Sequence, residues 1–391
     1  MVVHSYYDED PRVRREAEAL VAAGHDVDVI ALRRPGDAPM GTVAAVNVRR
    51  LDVQRHQGAG LGVYLREYVS FLVRSSWHLV RSHRRRRYDL VQVHSLPDFL
   101  AFAALPLRII GVPLILDLHE AMPEFFRSRF PRASHPIVRR LLLVQELASI
   151  RISSAVITVN AALATRLTDL GVRPAKVHVV PNSVSLARFE PSLHADRAFA
   201  ADGVVRLIYG GALTPIYELD IVLEAVALLA RDGVPVALEI YGRGDAEERL
   251  RARAEALGIA DRVRFQGRIP IEAMPAAIAS ADIGLAPTRR DPFTDVSLST
   301  KLFEYAAMGK AVVATRLPLV EATFPAGTVA TYDPGDATSL ASAIRTWIDD
   351  PAARNEAIRR TEEIVKSRSW EHDARAYCAL VESLSARRAR T

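Results

Sequence analysis

The sequence contains a single cysteine, Cys378, and no long uninterrupted apolar segment. One cysteine cannot form an intrachain disulfide, so a disulfide-stapled secreted domain is excluded and a reducing compartment is expected. The most apolar stretch, residues 99–118, is interrupted by prolines, an arginine and an aspartate. It therefore fails as a membrane span of about 20 apolar residues. The N-terminus has no basic segment followed by an apolar core, so we expect no signal peptide and a cytoplasmic protein.

Motifs for several other functions are also missing. No zinc-finger spacing or RNP-like motif accompanies the basic residues, so no nucleic-acid partner is expected. No H-E-x-x-H pattern occurs, and a lone cysteine cannot build a zinc site. Asp26 and Asp28 open a predicted strand, where alternating acids need no metal to explain them. Gly242-Arg243-Gly244 begins like a dinucleotide fingerprint, but Glu247 takes the place of the third glycine. We predict neither a metal nor another cofactor.

Apolar runs alternate with helical patterns along almost the whole chain. The predicted strands are residues 27–31, 90–94, 113–119, 155–159 and 177–180, and then 205–209, 237–241, 263–266, 283–286, 311–314 and 328–332. Such alternation is typical of right-handed βαβ units with mainly parallel sheets. A polar stretch after Pro181-Asn182-Ser183 separates the two series. We therefore predict an α/β protein with two Rossmann-like, doubly wound domains, residues 1–183 and 184–369.

Two helical segments of the first domain carry further signals. Asp10 and Pro11 open a predicted helix that stops before Gly24. Residues 61–83 form a second predicted helix, followed by an arginine cluster between Arg81 and Arg87. Its apolar stripe is Leu65, Tyr68, Val69, Leu72, Trp77 and Val80. This stripe would cover the sheet of its own domain, or it would rest on an anionic membrane surface with the arginines among the headgroups.

The most informative segment is residues 297–315, SLSTKLFEYAAMGKAVVAT. It predicts a short helix capped by Ser299 or Thr300, followed by a stop at Gly309 and a buried strand. The first N–H groups of this helix, beside Lys301, favour a phosphate by dipole and by charge. Glu304 repels phosphate but suits sugar hydroxyls as a hydrogen-bond acceptor. The segment predicts a site for a phosphorylated sugar, with an ordinary amphipathic helix as the alternative.

Four segments together resemble the GT-B glycosyltransferases of the large retaining family four, also described as glycosyl transferases group 1. They are the segment above, LILDLHEAMPEF, VHVVPNSVSLARFEP and FQGRIPIEAMPAAIASADIGLAP. The resemblance implies two domains facing a cleft, the first binding the acceptor and the second a nucleotide-diphosphate sugar. It also implies that the C-terminal helix, residues 370–391, crosses back to the first domain.

The activity implied by the resemblance is metal-independent transfer of a sugar, with retention, to a hydroxyl acceptor. A UDP-sugar is the expected donor, and the acceptor is a glycan, a lipid-linked molecule or a small molecule. Polysaccharide or glycosylated natural-product biosynthesis would be the setting. The arginine cluster Arg81–Arg87 would allow a peripheral contact with the inner membrane face.

The resemblance also gives individual residues a role. His119 and Glu304 are the expected catalytic residues, although a structural histidine at a strand end would look the same. The expected donor-binding residues are Gly211, Arg243, Arg268, Asp295, Ser299, Thr300, Lys301 and Glu304. Asn182 is expected between the domains, with an ordinary turn residue as the alternative. Tyr7 and Arg12 are expected at the edge of the cleft, with packing of the helix start as the alternative.

The chain departs from the family pattern at the donor site. Val296 stands where the first of two paired glutamates is usual, and Asp295 is its expected substitute. Ala212 replaces an arginine, and Tyr217 and Glu218 replace a lysine and a glycine, so two expected cations are absent. Arg243, Arg268 and Lys301 are the candidates to compensate. The predicted first strand, residues 1–4, is also shorter than usual, which suggests a start further upstream.

Two functions other than sugar transfer therefore remain open. The same fold supports an epimerase or hydrolase of nucleotide sugars, which would need no acceptor. The missing cations would also suit a non-catalytic protein that binds sugar nucleotides.

Overall fold

The computed structural model describes residues 1–53, 61–129, 135–195 and 197–389. They divide into two compact units: Met1–Asn182 together with the segment from Asp373 onward, and Ser183–His372. Each unit is built around its own mainly parallel sheet, flanked by helices. The α/β class and the doubly wound character predicted from the alternation of strands and helices are confirmed.

The sheet of the first unit contains seven strands in two hydrogen-bonded groups. They are β1 (Asp28–Leu32), β2 (Met40–Val43), β3 (Val46–Leu51), β4 (Val91–His94), β5 (Leu114–Leu118), β6 (Ala155–Thr158) and β7 (Val177–Val179). Their orders are β1-β3-β2 and β4-β5-β6-β7, and all pairs are parallel except β2 with β3. Val2 forms parallel bridges to Ile30 and Val93 and so joins the groups. The predicted first strand is therefore only this bridge.

Up to Asn182, the described residues of the first unit form six α-helices. They are α1 (Pro11–Ala22), α2 (Leu61–Arg86), α3 (Leu105–Ile109), α4 (Met122–Arg129), α5 (Pro136–Ile152) and α6 (Ala161–Asp169). Asp10 caps α1 as predicted, because its side chain accepts a hydrogen bond from the Val13 amide at 3.1 Å. Gly24 follows the helix with a φ of 89°, a conformation that glycine adopts without strain.

Helix α2 does not bury the whole stripe that the sequence suggested. Its buried face carries Phe71, Ser75 and Leu79. The exposed large apolar side chains are Val63, Leu65, Val69, Val73 and Trp77. Residues four apart lie on one face of a helix, so most of these side chains form a continuous exposed line. Leu65, Val69 and Trp77 therefore do not cover the sheet, which corrects that alternative.

The sheet of the second unit has six parallel strands. They are β8 (Val205–Gly210), β9 (Val236–Tyr241), β10 (Val263–Gly267), β11 (Ile283–Ala286), β12 (Ala311–Thr315) and β13 (Ala330–Tyr332). All six were predicted, and their order is β10-β9-β8-β11-β12-β13. The order reverses between β8 and β11, and ligands of doubly wound sheets bind at such a switch point, beyond the carboxyl ends of the strands.

The helices of the second unit follow these strands in turn. They are α7 (Leu219–Arg231), α8 (Glu247–Ala256), α9 (Met274–Ala279), α10 (Thr300–Ala307), α11 (Pro318–Thr323), α12 (Ala337–Asp349) and α13 (Pro351–Ser367). The last helix, α14 (Trp370–Ala389), packs against the first unit from Asp373 onward. Its Tyr377 is buried, and the phenol donates a hydrogen bond to Gln92 at 2.7 Å.

Candidate active site

The second unit holds a buried lysine near the switch point of its sheet. Lys301 lies in the first turn of α10 and is only 8% exposed. Its ammonium lies 4.2 Å from the ring centre of Tyr217 and 5.2 Å from that of Tyr209. These cation–π contacts offset part of the cost of burying the charge. A Cβ added at Gly211 would lie 2.6 Å from Lys301 Cε, so this glycine leaves room for the lysine.

The loops after β8 and β9 run side by side beneath this lysine. The Gly211 amide donates a hydrogen bond to the Tyr241 carbonyl at 2.8 Å. A Cβ added at Gly242 would lie 1.8 Å from the Gly211 carbonyl oxygen, and one at Gly244 would lie 2.1 Å from that of Leu213. Side chains are therefore excluded at these positions. The two loops bring bare backbone to the edge of the sheet where a ligand is expected.

Helix α10 begins without a side-chain cap. Ser299 occupies the cap position, but in the described structure its side chain makes no hydrogen bond to the helix, so the predicted capping is wrong. The first N–H groups of an α-helix have no partner within the helix, and Ser299 does not cap those of α10. Tyr305 fixes the helix on the sheet, because its hydroxyl accepts a hydrogen bond from the Gly210 amide at 3.1 Å.

The other predicted donor residues differ in their surroundings. Glu304 is half-buried and lies one turn after Lys301 on α10. Arg243 is exposed in the loop after β9, and Arg268 is exposed directly after β10. Asp295 lies in the 3-10 turn Thr294–Val296 and accepts a hydrogen bond from Arg290 at 3.1 Å, which balances part of its charge. These positions do not test the roles of the four side chains, which stay predictions.

The residues that stand in place of the missing cations make contacts within the protein. The Ala212 carbonyl accepts a hydrogen bond from the Tyr209 hydroxyl at 2.7 Å. Tyr217 supplies the ring nearest to Lys301. Glu218 accepts a hydrogen bond from the Gly335 amide at 3.0 Å, and burial raises the pKa of its carboxyl group. Tyr209 and Tyr217 were not predicted as lysine partners, since ring contacts leave no mark in the sequence.

The first unit contains a buried ionic network around Asp117, near the carboxyl end of β5. Arg12 binds both carboxylate oxygens, at 2.9 Å through Nε and 2.7 Å through Nη2. His94 Nδ1 and His119 Nε2 lie 3.0 and 2.9 Å from Asp117 Oδ2. Burial alone would raise the pKa of Asp117, but Arg12 and His119 hold it well below its usual range. Burial likewise opposes the charged form of His119, yet Asp117 raises the pKa of this imidazole.

The network also engages the residues that were expected at an interdomain edge. Asn182 Oδ1 accepts hydrogen bonds from Arg12 at 3.0 Å and from Arg15 at 2.7 Å. Glu16 lies 3.2 Å from Arg12, so both faces of that guanidinium are occupied by the protein. Tyr7 is only 1% exposed. Tyr7 and Arg12 are therefore buried side chains of this unit, and their place at the edge of a cleft stays a prediction.

Three members of the network have spacing that suits a metal. Ligand atoms of His94, Asp117 and His119 all lie within 4.8 Å of one another. Both oxygens of Asp117, however, accept hydrogen bonds from Arg12, whose permanent positive charge opposes a second cation. We therefore interpret the group as an ion network that fixes His119. Sequence reasoning missed His94 and Asp117, although Asp117 shares a strand face with His119.

Among the described residues, no helix combines the length and the apolar character that a bilayer crossing requires.

Comparison with known proteins identifies the family. Residues 10–183 match the glycosyl transferase 4-like domain, and residues 205–350 match glycosyl transferases group 1. The chain is 26% identical over 370 residues to glycogen synthase of Mycobacterium tuberculosis, covering 91% of this chain and 86% of that protein. It is 30% identical over 282 residues to 2-deoxystreptamine N-acetyl-D-glucosaminyltransferase of Streptomyces fradiae, covering 68% and 66% respectively.

A solved structure supports the same assignment at the level of the fold. Sucrose-phosphate synthase from Thermosynechococcus elongatus is similar with a TM-score of 0.79 and 20% identity, over 98% of this chain and 99% of that chain. The two domain matches and the parallel sheets agree with this likeness. The chain belongs to the glycosyl transferases group 1 family and is a glycosyltransferase with the GT-B fold.

Proposed function

We propose that the chain transfers a sugar from a nucleoside diphosphate to a hydroxyl acceptor, with retention and without a bound metal. In this proposal the second unit binds the donor and the first unit binds the acceptor. The observation that carries it is the buried ammonium of Lys301 at the start of α10. A cation beside uncapped helix N–H groups suits a diphosphate. A UDP-sugar is the donor that we propose.

The main chemical demand of such a transfer is to stabilise the departing diphosphate. Lys301 and the first turn of α10 supply fixed positive charge in a site shielded from water, where electrostatic stabilisation is strong. Glu304 follows Lys301 by one turn and would accept hydrogen bonds from the sugar hydroxyls. A permanent cation of this kind takes the part that a metal ion plays in other transferases.

His119 is the residue of the first unit that we propose to contact the reacting groups. Its side chain is partly exposed at 18%, whereas Asp117 is fully buried behind it. Because Asp117 raises the pKa of His119, the protonated imidazole is favoured and would donate a hydrogen bond to a sugar or acceptor oxygen. Asp117 and Arg12 would fix the ring for that contact.

The acceptor is proposed to be a glycan, a lipid-linked molecule or a small molecule. The names of two relatives, glycogen synthase and a 2-deoxystreptamine transferase, support the first and last classes. The exposed line on α2 supports a peripheral contact with an anionic membrane, because Arg81 lies 5.5 Å from the Trp77 ring and supplies charge beside it. We expect the protein to sediment with anionic vesicles but not with neutral ones. Equal amounts of protein in both vesicle pellets would rule out the proposed membrane contact.

Nucleotide binding is the first test of the proposed function. Calorimetry with UDP, GDP and dTDP should show binding of one nucleotide, weakened by Glu304→Ala only when the diphosphate carries a sugar. Transfer assays with that sugar and a panel of acceptors should then yield a product with the donor's anomeric configuration by NMR. Release of free sugar without an acceptor would favour a hydrolase, and binding without turnover would favour a non-catalytic protein.

A further inference from the structure

The first unit contains a second group of charged side chains, which the proposed reaction does not use. Its members are Asp98, Glu120, Glu124 and Glu146, here called the acidic cluster. Asp98 begins the 3-10 helix that follows β4, and Glu120 lies just after β5. Glu124 and Glu146 lie on α4 and α5. The cluster is thus anchored at the carboxyl ends of two adjacent parallel strands, the edge at which doubly wound sheets bind ligands.

Arg166 of α6 is the guanidinium that bonds to this cluster within the described residues. Its Nη1 and Nη2 each lie 3.0 Å from a carboxylate oxygen of Glu146. Its Nε and Nη2 bind the two oxygens of Glu124 at 3.0 and 2.9 Å. These four hydrogen bonds of Arg166 go to Glu124 and Glu146. None of these four bonds is made with Asp98 or Glu120.

Asp98 is the member that needs an explanation. Its side chain is fully buried, and neither carboxylate oxygen has a hydrogen-bond partner in the described structure. Glu120 Oε2 is also buried and unpartnered there. A buried polar group without a partner costs about 1–3 kcal/mol, and a charged one costs more. Burial first, and then the nearby Glu146, raise the pKa of Asp98, while Arg166 only partly opposes them.

The exposed fraction of the side chains in and beside the acidic cluster increases from Glu146 to Glu124. The side chain of Glu146 is 1% exposed, that of Arg166 is 18% exposed and that of Glu124 is 30% exposed. A ligand that enters past Glu124 would therefore meet carboxylates of increasing burial. Buried acids that lack partners in the protein are explained when a cationic ligand supplies the partner.

We propose that the acidic cluster binds an ammonium group of the acceptor, so that the acceptor class is an amine-bearing sugar or cyclitol. An ammonium carries three donors and one positive charge, which is what the unpartnered carboxylate oxygens of Asp98 and Glu120 lack. A phosphorylated acceptor would be repelled by the same carboxylates. This inference rests on the proposed function, because it names the acceptor class of that transfer.

The test compares three sugars with the same ring and different charges: glucosamine, with an ammonium in place of one hydroxyl, glucose, and glucose 6-phosphate, with an added phosphate. Their binding to the full chain is measured by calorimetry at neutral pH, with and without saturating UDP. Glucosamine should bind at least about tenfold more tightly than glucose, a difference of about 1.4 kcal/mol, and glucose 6-phosphate most weakly. Asp98→Asn and Glu120→Gln should each reduce the preference for glucosamine severalfold. Asp52→Asn, at an exposed acid of the same unit, should not change it.

Thermal unfolding separates a ligand-binding role for Asp98 from a structural one. Asp98→Asn should keep or raise the melting temperature, because it removes an unpartnered buried acid. A marked loss of stability would overturn the assignment, and if that variant does not fold, Glu120→Gln decides the binding preference. Equal binding of glucosamine and glucose would also overturn it, while retained UDP binding would leave the proposed function standing. Failure to bind any nucleotide would overturn the proposed function, and with it the assignment of the bound amine as an acceptor, even where glucosamine is still preferred.

Discussion

Replacing Lys301 with methionine tests the charge at the proposed donor site. Methionine keeps an unbranched, flexible side chain between Gly211 and the rings of Tyr209 and Tyr217, so the packing should survive. The change replaces one methylene with sulfur and removes the ammonium, which lies 4.2 Å from the Tyr217 ring centre. A difference between the variant and the parent chain therefore reports the charge rather than a cavity.

The expected losses follow from the contacts of this side chain. A charge-assisted hydrogen bond to a phosphate is worth roughly 1.5–3 kcal/mol, so UDP should bind roughly 10- to 150-fold more weakly. Uridine carries no phosphate and should bind nearly unchanged. For stability, the lost cation–π contacts of about 0.5–2 kcal/mol are offset by relief of the buried charge, so the net change should stay within about 1 kcal/mol.

The assay is calorimetric titration of Lys301→Met with UDP and with uridine, beside urea unfolding of the same samples. Lys366→Met is the matched control, because Lys366 lies in the same unit, is 69% exposed and pairs only loosely with Glu362 at 3.7 Å. The control should bind both ligands like the parent chain. An equal loss of affinity for UDP and uridine, or no loss for UDP, would refute the placement of the diphosphate beside Lys301.

Three further predictions concern the first unit. His119→Ala should leave nucleotide affinity intact and lower transfer at least about tenfold, or about 1.4 kcal/mol of barrier, and unchanged transfer would make His119 structural. Asp117→Asn should lower the free energy of unfolding by about 3–5 kcal/mol, because it removes the carboxylate that binds Arg12 at two points and leaves that buried guanidinium with Glu16 as its remaining counter-ion; a loss under about 1 kcal/mol in urea titrations would contradict this. The pKa of Glu120 is raised from 4.5 to about 7 by burial, so the folded state binds the extra proton. Its contribution to stability should therefore fall as the pH rises from about 4.5 to about 7, by about 3 kcal/mol, and Glu120→Gln should abolish that dependence in unfolding measured across this range.

The strands of the second unit could be predicted because their burial is written locally. A parallel strand covered on both faces reads as a continuous apolar run, and β11 and β12 are buried at every position. The hairpin of β2 and β3 left no such mark. Its turn uses Ala44 and Ala45 at φ values of 48° and 64°, where glycine or asparagine is the usual signal. Most of β2 is also exposed, so it lacks an apolar run.

The candidate site could be predicted only where its parts are close in sequence. Lys301 and Glu304 share one short helix, so their spacing already places them together. Arg12 and Asp117 are separated by 105 residues, and no local pattern links them. The same holds for the acidic cluster, whose members follow different strands and helices. The buried face of α2 was predicted wrongly for a related reason. Apolar residues occupy more than one face of this helix, and only packing in the folded protein decides which face is buried.

The substitutions at the donor site are coupled rather than independent losses. Tyr217 stands where the resemblance to the family implies a lysine, and its ring lies against the ammonium of Lys301. A lysine at position 217 would bring two like charges together in a buried site, where they repel strongly. The ring instead holds one cation in place, and Glu218 is turned away to the Gly335 amide. Lys301 is therefore held by contacts within the protein, and in the proposed reaction such a preorganised charge would stabilise the departing diphosphate without further rearrangement. If the proposed donor site is right, this arrangement would make loss of the second cation compatible with catalysis, and the rings of Tyr209 and Tyr217 would belong to that site.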